Sequence, residues 1–149
     1  MRMNFYFAFI AGIIGAIIVD GLSYIYLLLG IKMSTPWEIA ASIFLNTPLV
    51  HTWTGTVIGF IGTHTLSMAT TLLIAWILSA TEDRHAWLKG LISANALGFI
   101  NLGLFMRLLN IWPQIRSEPA TNIAALINLS VMGIITALLL KRWNKAGLR

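Results

Sequence analysis

Two side chains have the chemistry to exchange a proton inside an apolar setting, Asp20 and His64, and two carboxamides, Asn101 and Asn128, accompany them. Each stands within a long apolar run. A carboxylate at that depth costs on the order of 2.5 to 3.5 kcal/mol on insertion scales, so it must face protein or trapped water. An acid and an imidazole at one depth can exchange a proton, while two carboxamides orient water or a substrate. Tyr24, four residues after Asp20, extends the same helix face and can donate its hydroxyl to the carboxylate. Asn95 adds a further polar group to the helix that carries Asn101. The same residues support a plainer reading, interhelical glue, with each pair worth about 0.6 kcal/mol and fixing helix register. Glue needs only mutual hydrogen bonding, whereas transport also needs a path to water on both sides.

The elements that must position these groups are apolar helices. A hydrocarbon layer of about 30 Å takes about 20 helical residues, and residues 5–29 supply such a run. Its apolar core exceeds that of a secretory signal, so it is expected to be a retained span. Gly12, Ala16 and Asp20 recur every four residues and share a face that is small and then polar, suited to close helix approach. Gly30 ends the run. Thr35, Pro36 and Glu38 then spell a helix start, and a short interfacial helix is expected over about 36–45. Asn46, Thr47 and Pro48 close it.

A second span is expected over 52–80, between Trp53 and Trp76. Thr52, Thr56, Gly59, Thr63, Ser67 and Thr70 make a polar stripe on it. Gly55 and Gly59 form a GxxxG suited to tight packing within the bundle. Thr81 to His85 is a tight charged hairpin, with Glu82 and Asp83 as a solvated turn, which makes the third span, 86–108, an antiparallel neighbour of the second. Asn95, Gly98 and Asn101 lie within about a third of that helix's circumference. A loop with Pro113 and Pro119 precedes the last span, 121–140, which Thr121 caps and which carries Asn128. At 1.5 Å per residue, Asp20, His64, Asn101 and Asn128 fall within about 5 Å of a common depth.

Composition agrees with this design. Of 149 residues, 58% are hydrophobic and 10% charged, and mean hydropathy is +0.82, far from the average of soluble domains. The expectation is an all-α integral membrane bundle of four transmembrane helices over 1–149, as one domain. The spans use nearly the whole chain, so no separate catalytic domain fits. Net charge is +5, but the basic residues sit in loops and tail, so lipid rather than nucleic acid is the expected surrounding. With no cysteine, disulfides, thiolate metal sites and cysteine nucleophiles are excluded. His51, His64 and His85 differ too much in depth to share a metal, and no metal or cofactor is expected. No positioned serine nucleophile or phosphate loop can be assembled, so no catalytic residue is nominated.

Orientation follows from the basic residues. With the N-terminus inside, Arg2, Arg84, Lys89, Lys141, Arg142, Lys145 and Arg149 are cytoplasmic and Lys32, Arg107 and Arg116 are outside, seven against three of the ten. Both termini are therefore expected in the cytoplasm. Trp76, Trp87 and Trp143 then mark the inner interface, and Trp37, Trp53 and Trp112 the outer one.

The stretch Phe9 to Ala16 with Asp20, Ser23 and Tyr24 resembles the opening of a group of small, uncharacterised bacterial four-helix membrane proteins. Trp37, Ala40, Ala41, Ile43, Phe44 and Pro48 resemble that group's connecting segment. The resemblance implies a four-span architecture and a bacterial inner membrane, and it implies no activity. Three functions follow in order: a non-enzymatic accessory or assembly subunit, a small oligomeric transporter or channel using Asp20 and His64, and a membrane enzyme. A homo-oligomer or a larger membrane complex is the expected setting.

Overall fold

The computed structural model describes residues 5–81, 84–111 and 117–145, the last without its side chain. Arg2, Glu82, Asp83, Trp112, Pro113, Arg116, Arg149 and the Lys145 side chain, named above, lie outside that description. Among the described residues the chain forms only helices and their connections: α1 (Phe5–Leu28), α2 (Pro36–Ala41), α3 (Thr47–Val50), α4 (Trp53–Ala80), α5 (Ala86–Gly98), a π-helical stretch (Phe99–Phe105), α6 (Met106–Leu108) and α7 (Pro119–Lys145). Four segments are long and apolar enough to cross a membrane: Phe5–Leu28, Trp53–Ala80, Ala86–Leu108 and Pro119–Asn144. The protein is therefore an all-α, multi-pass membrane bundle. One end of the bundle carries the connection between α1 and α4, and the other carries the turn between α4 and α5. We call these the connector end and the hairpin end.

Local signals set the boundaries. Gly30 sits at φ 78°, so α1 closes with Gly30 N–H donating to Leu27 O and Ile31 N–H to Tyr26 O, at 2.9 and 3.0 Å. That left-handed closure favours glycine. Asn110, at φ 51°, ends α6 the same way, through Ile111 N–H to Met106 O at 3.0 Å. Thr35 and Glu38 form a reciprocal capping box with Pro36 in the first turn of α2. The Thr52 hydroxyl accepts from Gly55 N–H at 3.3 Å and caps α4.

Two elements differ from the sequence reading. The expected interfacial helix over 36–45 stops at Ala41, where the Ser42 hydroxyl turns back to donate to Ile39 O at 2.6 Å. Instead of a closing turn, Asn46, Thr47 and Pro48 begin α3. The third span is not a uniform α-helix, because Phe99–Phe105 is π-helical, with Met106 N–H donating to Asn101 O. A wider turn changes the angular step per residue and so breaks the face that Asn95, Gly98 and Asn101 would share.

Small residues draw the helices together. A β-carbon at Gly90 would overlap the Gly133 carbonyl, and one at Gly133 the Gly90 carbonyl, so α5 and α7 touch through their backbones. Such contacts substitute for the hydrophobic drive that lipid removes. At Gly12 an added β-carbon would lie 2.6 Å from Met68 Cα, and the Ser67 hydroxyl donates to Gly12 O at 2.8 Å, joining α1 to α4. Ile74, Leu78, Met132 and Leu140 fill the apolar core between α4 and α7.

Candidate functional site

The buried face of α1 consists of Ala8, Ala11, Gly12, Gly15, Ala16, Val19, Asp20 and Ser23. Because α1 and α4 run antiparallel from their contact at Gly12 and Met68, the Asp20 turn arrives opposite His64. Asp20 is 6% exposed, and His64 Nδ1 lies 3.9 Å from its Oδ2. Neither carboxyl oxygen has a hydrogen-bond partner among the described residues.

His64 is oriented by its own helix. Its Nδ1 is 2.9 Å from Phe60 O, and since a carbonyl can only accept, Nδ1 carries the proton. Nε2 then has no hydrogen bond among the described residues. The ring packs beside Phe60, with centroids 6.1 Å apart, and Phe60 stacks on Trp37 of α2 at 5.6 Å and 12°. With 29% of its side chain exposed, the imidazole reaches the outer edge of the α1/α4 seam, while Asp20 stays buried behind it. A small rotation that closes 3.9 Å to hydrogen-bond distance would let acid and imidazole share a proton.

The other polar residues resolve into separate pairs. Asn128 Nδ2 donates to Ser23 Oγ at 2.9 Å, and Ser23 donates to Val19 O at 2.8 Å, so Asn128 ties α7 to α1. Its Oδ1 is buried without a partner among the described residues. Asn95 donates to Ser130 Oγ at 2.9 Å, tying α5 to α7. Asn101 is exposed on the π-helical stretch and joins no side-chain hydrogen bond among the described residues. Tyr24 is 58% exposed and does not donate to Asp20, correcting the expected hydroxyl contact. Ala16 is fully buried in α1.

Gly55 and Gly59 pack tightly inside the bundle, against backbone of α2 and α3. A β-carbon at Gly59 would overlap the Trp37 carbonyl, and one at Gly55 the Val50 carbonyl. The motif therefore seats the α2–α3 connector against α4 instead of pairing two spans. Of the expected stripe, Gly59, Thr63, Ser67 and Thr70 are buried, while Thr52 is exposed.

A second polar constellation lies at the connector end and was not nominated from the sequence. Glu118 Oε2 accepts from Ser34 N–H, the Ser34 hydroxyl and the Thr121 hydroxyl, at 3.1, 2.6 and 2.6 Å. Burial works to raise its pKa, but the hydrogen bonds from Ser34 and Thr121 outweigh it and hold the carboxyl below its ordinary value. Glu38 Oε1 meets His51 Nδ1 at 3.1 Å. Ser34, Glu38, His51 and Glu118 border a cavity of about 640 Å³ shared with Lys32, Leu27 and Met33. The capping box around Thr35 was the one local hint; Glu118 joins the preceding residue, Ser34, across 84 residues, which no spacing rule reveals.

A second, apolar cavity of about 300 Å³ lies between Ala40, Phe44, Ile61 and Leu66. Neither cavity is lined by Asp20 or His64. Comparison with models of protein families, with curated proteins and with solved structures found no match for this chain.

Proposed function

We propose that the chain is a non-enzymatic accessory or assembly subunit of a bacterial inner membrane, with both termini cytoplasmic, working beside a second copy or within a larger membrane complex. One observation carries this reading. The fold buries Asp20 beside His64, whose imidazole stands 29% exposed at the edge of the α1/α4 seam with Nε2 making no hydrogen bond among the described residues. Polar groups in hydrocarbon find partners, because each one unsatisfied costs several kcal/mol. A neighbouring span that supplies those partners gains affinity and register from one contact. The basic residues, seven of ten toward the termini and hairpin, supply the orientation.

The test is isolation of the tagged chain from native membranes in a mild detergent, followed by native mass spectrometry. A defined assembly is expected, and Asp20→Asn and His64→Gln should each dissolve it while the monomer keeps its helicity and melting temperature. An assembly that persists in both variants overturns the reading.

A second reading, an oligomeric proton transporter, is favoured by the acid and imidazole 3.9 Å apart within the spans. It requires a flux into liposomes that depends on pH and vanishes in Asp20→Asn.

A further inference from the structure

We propose that the connector-end cavity binds the phosphoethanolamine head group of a membrane lipid. The cavity, of about 640 Å³, is within the ordinary range of ligand sites. It opens at the end of a spanning helix, with Leu27 from the last turn of α1 and Met33 forming apolar wall. Head group and glycerol therefore meet polar and apolar surface in the order a lipid presents them.

The charges in it are divided rather than pooled. Glu38 is spoken for, since Oε1 meets His51 and Oε2 accepts from Thr35 N–H and the Thr35 hydroxyl. Glu118 is not. Its Oε2 takes three hydrogen bonds while Oε1 takes none among the described residues. Those bonds favour the ionised carboxylate and fix its aim. Lys32 is exposed on the same wall and makes no hydrogen bond or ion pair among the described residues. One fixed anion and one free cation fit a zwitterion, with the ammonium on Glu118 Oε1 and the phosphate on Lys32.

The same geometry sets the choice among head groups. A primary ammonium donates N–H groups to Oε1, whereas the quaternary ammonium of choline has none and is held by aromatic cages. Among the described residues, no aromatic ring borders this cavity other than the His51 imidazole. The net-anionic phosphoglycerol head group has no ammonium for Glu118.

The experiment is native mass spectrometry of the whole chain released from nanodiscs containing equal amounts of ethanolamine, choline and glycerol phospholipids with the same acyl chains. Ethanolamine lipid should be retained at least about tenfold over choline lipid, the worth of one charge-assisted hydrogen bond. Glu118→Gln keeps the acceptor that Ser34 and Thr121 use but removes the charge, and should erase that preference. Lys32→Ala, at an exposed position, should weaken retention of ethanolamine lipid without changing the fold, checked by helicity and melting. Equal retention of the three lipids, or a preference untouched in both variants, overturns the proposal. Soluble phosphoethanolamine, titrated in lipid-free detergent, separates head group from lipid. Weak binding that ethanolamine lipid displaces supports the lipid assignment, and tight binding that lipid does not displace overturns it.

Discussion

Replacing Asp20 by asparagine separates a group that holds the bundle together from one that the bundle merely holds. The carboxyl is buried but makes no hydrogen bond among the described residues, so an isosteric Asp20→Asn breaks none. It also removes an acid whose placement in hydrocarbon costs about 2.5 to 3.5 kcal/mol on insertion scales. Stability at neutral pH should therefore stay level or rise. Asn128 is the counterpart, 1% exposed and bonded to Ser23 at 2.9 Å. Asn128→Ala forfeits about 0.6 kcal/mol for that bond. It adds about 1 kcal/mol if roughly 40 Å³ stays vacant at about 24 cal/mol per Å³. The expected loss is about 1.5 kcal/mol. Reversible unfolding of both variants in bicelles, followed by circular dichroism, measures the contrast. If Asp20→Asn costs as much as Asn128→Ala, the carboxyl is structural glue and the reasoning fails.

Gly90→Ala forces a methyl onto the Gly133 carbonyl and within 2.6 Å of Ala137 Cβ. It should cost about 1 to 3 kcal/mol in the same unfolding assay, while Gly21→Ala, with open space around it, should cost nothing. Gly59→Val should push α2 from α4 and break the Trp37–Phe60 stack, read as a shift in emission from a variant whose only tryptophan is Trp37. The lowered pKa of Glu118 gives a signed pH dependence. A carboxyl titrating lower in the folded state stabilises fully above its ordinary value of 4.5, and the contribution fades as pH falls through the folded value. Protection of the amides over residues 30–35, taken relative to their intrinsic exchange rates at each pH, should fall on acidification through that value, and Glu118→Gln should flatten the response.

Much of the architecture is legible in the sequence because hydrocarbon thickness and capping chemistry are local rules. Residues 5–29 and 52–80 read as spans from length and hydropathy alone, and Gly30 and Thr35 announce a stop and a start. What escapes is what depends on a partner distant in the chain. Tyr24 follows Asp20 by four residues, but four helical steps leave a 40° offset. The buried stripe passes through Val19, Asp20 and Ser23 and leaves Tyr24 outside. Asn101 leaves the common face because the π-helical stretch alters the step, and no residue pattern there signals it. The GxxxG of α4 reads correctly as a place of close approach, yet nothing in it tells whether a helix or the connector backbone will fill it. Glu118 and Ser34 are unremarkable alone and become a site only across 84 residues.

The most direct test of the central claim, an acid and imidazole paired inside the membrane and left incomplete by their own chain, is nitrogen NMR of His64 in lipid bilayers. The account predicts a ring protonated at Nδ1 whose signals move on Asp20→Asn and whose Nε2 signal changes when the native assembly forms. A His64 spectrum indifferent to both changes would contradict it.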